Sequence, residues 1–175
     1  APVVAGAGVS AFTGSDLTLP SALLNATLAL LVSLALQVGV NYFNDYHDGV
    51  RGTDEVRVGP VRLVGQGLTA PSNVKRAAIL SLGLAAVIGL VLVILSRAWV
   101  LLPVGAAAIL AAWGYTGGSR PYGYSGLGEL FVFVFFGPVA VCGTTLVTGG
   151  DVWPLSVLVS LAIGLLTVAI LVVNN

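Results

Sequence analysis

Long apolar runs, broken by short polar stretches, set the pattern of this chain. Four runs have the length needed to cross a bilayer: Ser21 to Val40, Ala77 to Leu95, Leu130 to Val147 and Leu155 to Val173. Each matches the roughly 20 apolar residues that a transmembrane helix requires. A fifth, Ala98 to Trp113, is shorter, and the opening stretch Ala1 to Phe12 is too short to span; it reads as the tail of a helix. The pattern predicts an all-α fold, a multi-span transmembrane helical bundle, with helical segments near 1–12, 20–47, 73–95, 98–116, 127–148 and 154–175. Short connections favour antiparallel neighbours. The exceptions are a long loop, 49–72, whose five glycines and two prolines oppose a continuous helix, and a second polar loop, 115–126. The whole of 1–175 is read as a single domain.

Composition agrees with the pattern. Hydrophobic residues make up 57% of the chain and charged ones 8%, against roughly 25% charged in a soluble domain. Net charge is zero, so nucleic acid is not an expected partner and membrane lipid is. Five of the seven basic residues, Arg51, Arg57, Arg62, Lys75 and Arg76, lie between the apolar runs Ser21 to Val40 and Ala77 to Leu95. Arg120 falls on the same side by loop counting and Arg97 on the other, which by the positive-inside rule makes the basic side cytoplasmic. The lone cysteine, Cys142, sits in an apolar run and reads as a small packing residue.

The chemistry is concentrated where the second helix meets the long loop. Gln37, Asn41, Asn44, Asp45 and Asp48 stand at offsets of 0, 4, 7, 8 and 11, which at the helical period places them within an arc of about 100°. Ionisable groups at membrane depth are costly and turn toward a bundle interior or a watery cavity. Carboxylates at a helix C-terminus also oppose the macrodipole unless a cation compensates. Asn41, Asn44, Asp45 and Asp48 form an all-oxygen set hard enough for magnesium, which takes one or two carboxylates together with substrate phosphates. Magnesium-bound diphosphate is therefore the expected ligand. Arg51, Arg57 and Arg62 after the cluster could supply charge-assisted hydrogen bonds to its oxygens or could equally be topology determinants, which is what the positive-inside rule alone makes of Lys75 and Arg76. Tyr115, Tyr122 and Tyr124 surround Arg120 in a second wall. His47 lies on another face and reads as an interfacial residue.

The run N-Y-F-N-D-Y-H-D-G-V-R-G-T-D from Asn41 to Asp54, followed by R-V-G-P-V-R-L-V from Arg57, resembles the UbiA superfamily of intramembrane prenyltransferases. Y-T-G-G-S-R-P-Y-G-Y from Tyr115 and G-L-G-E-L-F-V-F-V-F-F-G from Gly126 are similar to the branch that prenylates 1,4-dihydroxy-2-naphthoate in menaquinone biosynthesis. Against the superfamily's NxxxDxxxD motif, Asn44 and Asp48 match. Gly52 stands at the third position, with Asp54 the nearest aspartate.

The resemblance implies a bacterial cell-membrane enzyme of about nine helices, of which about six are present, with its active-site side cytoplasmic. A second aspartate motif would begin at Asn174-Asn175, so the chain looks like a piece lacking both ends and inactive alone. The implied reaction moves a polyprenyl group from polyprenyl diphosphate to the naphthoate with loss of its carboxylate, giving demethylmenaquinone. Asn44, Asp45 and Asp48 would be the catalytic face, and Asp54 would join the Mg2+ ligands. Arg57, Arg62, Lys75, Arg120 and Tyr115 would contact the diphosphate. Phe131, Phe133 and Phe135 could shield a cationic allyl group, but lipid-facing packing is the preferred reading for each.

Two other classes compete. CDP-alcohol phosphatidyltransferases carry DxxDGxxAR, which Asp45, Asp48 and Gly49 begin to match before Gly52 and Thr53 break it. A transporter also places carboxylates in the membrane, but it predicts a broken helix or a repeated half, and neither is evident.

Overall fold

A computed structural model describes residues 1–14, 17–52, 61–117, 121–124 and 126–174, and among these every long element is helical. The helices are α1 (Pro2–Thr13), α2 (Leu19–Arg51), α3 (Pro71–Ser96) and α4 (Leu101–Gly114), then α5 (Gly128–Gly149) and α6 (Pro154–Asn174). A 3-10 turn, Tyr122–Tyr124, precedes α5. Helices α2, α3, α5 and α6 are long and apolar enough to span a bilayer, in agreement with the four runs read from sequence. The chain is a multi-pass membrane protein. The 14 residues of α4 reach only about 21 Å, short of a hydrocarbon core of about 30 Å.

Helix α2 differs most from expectation. It runs through Asn44, Asp45 and Asp48 to Arg51, four residues past the expected end, and stops at Gly52, whose φ of 74° only glycine adopts without strain. At 33 residues it measures about 50 Å, some 20 Å more than the hydrocarbon requires. The excess is its polar end, which therefore projects into the headgroup layer. Arg51 in the last turn complements the helix dipole that the two carboxylates oppose. The long connection accordingly begins at Gly52, and α3 restarts at Pro71 after an extended Ala70.

Large apolar side chains face outward on every spanning helix, among them Leu80, Leu90, Leu158, Leu165 and Ile170. Many of the buried positions are small or hydroxylic, Thr144, Thr145, Thr148, Ser156 and Ser160 among them, beside a few larger ones such as Phe43, Leu82 and Leu92. The small and hydroxylic share is the expected solution in lipid, where helices gain by close backbone approach. Asn25 of α2 donates to the Val147 carbonyl of α5 at 2.7 Å, and Thr145 Oγ1 donates to the Gly6 carbonyl of α1 at 3.2 Å. Gly39 lets the Leu82 side chain of α3 into α2, where a Cβ would stand 2.6 Å from Leu82 Cδ2. Helix α5 widens into a π turn at Phe135–Val139 around Pro138, because proline supplies no N–H to the ladder. Gly137 in that turn lies against the Ser160 carbonyl and Gly164 of α6.

Candidate active site

Taking Gln37 as zero and about 100° per residue, the end of α2 can be mapped around its axis. Arg51 and Asn44 fall near −40° and −20°, Asp48 near +20°, Asn41 near +40°, Asp45 near +80° and Gly49 near +120°; His47 is at about −80°. The two sides of this arc are covered by different loops.

On the positive side sits the segment 61–69. Asp45 Oδ2 accepts the N–H of Leu63 at 2.9 Å and Oδ1 accepts that of Val64 at 3.1 Å. Gly49, one turn on, admits the Val64 side chain. On the negative side sits the start of the second loop. Thr116 Oγ1 donates to Asn44 Oδ1 at 2.9 Å and lies 3.3 Å from His47 Nδ1, while Arg51 donates to the Thr116 carbonyl at 2.9 Å. Gly117 packs against the His47 ring, where a Cβ would stand 3.2 Å from Cε1. Asp48, buried at 8% exposure, is therefore the carboxylate that falls between two docked loops.

Aromatic rings extend the second wall. Tyr115 meets Tyr122 edge to face at 5.5 Å, Tyr122 stacks on Phe131 at 4.1 Å, and Phe131 faces Phe135 at 6.1 Å. These rings form a ladder running from the loop into α5, all partly buried. Phe133 packs on Gly164 of α6 instead. Burial raises the Tyr115 hydroxyl above its ordinary pKa, and the negative charges of Glu129 and Asp48 add to the shift. Tyr122, pushed up to about 12 by burial and then by Tyr115, donates to the Ala111 carbonyl at 2.6 Å. Both phenols are neutral donors at physiological pH.

The structure thus sets Asn44, Asp45 and Asp48 on one face at the end of α2, with Tyr115 near enough to Asp48 to feel its charge. Asn41 is exposed and turns back on its own helix, donating to the Gln37 carbonyl at 2.9 Å. Arg62 opens the docked turn beside Asp45. Lys75 instead places its ammonium 5.4 Å from the Tyr46 ring centre, and Tyr46 lies about 160° around α2 from Asp48. Asp54, Arg57, Arg120 and the side chain of Tyr124 lie outside the described residues. Among the described residues no three His, Cys, Asp or Glu side chains converge as a metal cage. Asn44 and Asp48 are nevertheless a fitting donor set for magnesium, which needs only one or two protein carboxylates when phosphates complete its shell. Sequence reasoning gave Thr116 and Gly49 no site role of their own, since each entered only as a member of a motif.

The chain is 53% identical over its whole length to the 1,4-dihydroxy-2-naphthoate octaprenyltransferase of Mycobacterium tuberculosis, covering 58% of that protein. Proteins of the same name from Escherichia coli and Bacillus subtilis are 39% and 34% identical over 86% and 85% of the chain, which covers 51% and 48% of their lengths. The chain thus spans about half the length of the curated relatives it matches. No solved structure matches it significantly. A model of the UbiA prenyltransferase family matches residues 1–175, and the chain belongs to that family.

Proposed function

We propose that this chain forms part of an intramembrane aromatic prenyltransferase that moves a polyprenyl group from its diphosphate to 1,4-dihydroxy-2-naphthoate. The observation that carries the reading is Asp48, buried at the headgroup end of α2 between two loops anchored on its neighbours. The relatives' printed name supports both the transferred group and the acceptor.

Members of the family generally use a divalent metal, and magnesium suits an all-oxygen site. Asn44 and Asp48 would hold it, with Asp54 as a further ligand, and it would neutralise charge on the diphosphate. Arg57, Arg62 and Arg120 supply cations toward the leaving oxygens, and the neutral Tyr115 hydroxyl supplies a donor; Lys75, held over Tyr46, belongs to the α3 side. These fixed charges favour breaking the allylic C–O bond because they are most effective where negative charge accumulates. The electron-rich ring carbon bearing the carboxylate then attacks the allylic carbon. A C–C bond forms, diphosphate departs, and loss of carbon dioxide restores the aromatic ring as the quinol form of demethylmenaquinone. The Tyr122–Phe131–Phe135 ladder leads from the loop into the apolar bundle and offers π faces along the path of a cationic allyl group. We place the site on the cytoplasmic face of a bacterial cell membrane, in keeping with the basic residues around it.

The test is product detection by mass spectrometry. The full-length protein in detergent receives polyprenyl diphosphate and the naphthoate, with magnesium or with a chelator. A magnesium-dependent product of prenylated, decarboxylated mass is expected. Turnover only with another aromatic acceptor would discard the naphthoate assignment, and silence with every prenyl donor would discard the reaction.

A further inference from the structure

The two carboxylates at the end of α2 share a motif but not an environment. Asp45 is 5% exposed, and each of its oxygens accepts a backbone N–H from consecutive residues, Leu63 at 2.9 Å and Val64 at 3.1 Å. Successive N–H groups converging on one anion form a nest, here filled by a side chain of the protein itself. The turn that presents them is closed by its own bonds. Gln66 N–H donates to the Arg62 carbonyl at 3.1 Å, Gly67 N–H to that of Val64 at 3.0 Å, and Leu68 N–H to that of Leu63 at 2.9 Å. Gly49, four residues after Asp45 and so on the same face, completes the seat. A Cβ there would stand 2.5 Å from Val64 Cγ1, 2.6 Å from Val64 Cβ and 3.0 Å from Gly65 N.

We infer that Asp45 is the anchor of the 61–69 turn, a positioning residue that fixes Arg62 and the loop edge beside Asp48, and is not a ligand of the metal. Its kinetic consequence rests on the proposed prenyl transfer; the anchoring itself does not. An asparagine at 45 keeps the size of the side chain but sets its NH2 against one of the two N–H donors, so the turn loses one bond and gains a repulsive contact. Gly49→Ala evicts Val64 from the same seat and leaves both carboxylates intact. The two variants therefore perturb one loop by independent routes.

The anchor is tested on the full-length protein in detergent without substrate or metal, by timing trypsin cleavage after Arg62 with mass-spectrometric identification of the cut. Cleavage of this kind follows the population of the released loop. Asp45→Asn and Gly49→Ala are expected to speed it about tenfold or more, and Asp48→Asn to leave it unchanged. Magnesium titrations of turnover then separate anchor from ligand. Asp48→Asn should raise the half-saturating magnesium concentration about tenfold. Asp45→Asn and Gly49→Ala should leave it within about twofold while raising KM for the polyprenyl diphosphate. Slow cleavage in Asp45→Asn, with a magnesium requirement raised as in Asp48→Asn, would make Asp45 a ligand and overturn the inference. Fast cleavage with an unchanged KM would overturn the positioning role. Inactivity of the unsubstituted protein with every donor would refute the prenyl transfer instead, and the cleavage comparison would still decide the anchor.

Discussion

Thr116→Val isolates what the second loop does for the proposed metal site. Thr116 is 2% exposed, and valine replaces its hydroxyl with a methyl of nearly the same size, so packing against His47 and Gly117 is kept while one donor disappears. Asn44 Oδ1 then loses a 2.9 Å bond. A typical hydrogen bond contributes a net ~1 kcal/mol, and an acceptor left dry costs about 1–3 kcal/mol. Asn44 is only partly buried, so water reaches it and the loss of stability should sit near the lower figure, about 1 kcal/mol. The functional loss should be larger in proportion, because partners that orient a metal ligand typically carry a tenfold or greater share of metal affinity. The assay is a magnesium titration of prenyl transfer in the full-length protein, paired with thermal unfolding in detergent. The half-saturating magnesium concentration is expected to rise about tenfold in Thr116→Val and to stay near normal in Thr116→Ser, which keeps the hydroxyl. An unchanged magnesium requirement in a normally stable Thr116→Val protein would refute the claim that Thr116 orients Asn44.

Asp48→Ala should abolish turnover in the full-length protein with membrane insertion intact, measured by product formation alongside membrane fractionation; normal turnover would remove Asp48 from the site. Gly137→Ala should destabilise the α5–α6 contact by about 1–3 kcal/mol, since its Cβ would meet the Ser160 carbonyl at 2.6 Å and Gly164 Cα at 3.0 Å; denaturant unfolding in detergent measures it. The fold prefers neutral Tyr122, whose pKa is pushed up to about 12. Its contribution to stability is complete below the unfolded tyrosine pKa of about 10 and is lost as pH climbs from there through 12. Ultraviolet titration of tyrosinate should show a late-ionising component that shrinks by one group in Tyr122→Phe.

Membrane character was legible because hydropathy alone decides it: four apolar runs became four helices of spanning length. The face bearing Asn44, Asp45 and Asp48 was legible for a similar reason, since helical periodicity fixes which residues point the same way. Periodicity cannot say what covers each part of a face. Asp45 and Asp48, three residues apart, look interchangeable in the motif, yet one is filled by the Leu63 and Val64 amides and the other lies between the loops. The end of α2 was misplaced because Gly49 reads as a helix breaker. Here it is helical, and its missing Cβ makes room for Val64. Thr116 was invisible because its partners lie 65 to 72 residues away. These misses share one cause, since each residue works by holding a distant loop against α2. The motif supplies the charge of the site, and the loops, through Gly49 and Thr116, supply its shape. A family member that kept Asn44 and Asp48 but replaced Gly49 with a bulky residue should therefore bind metal and fail to grip its diphosphate.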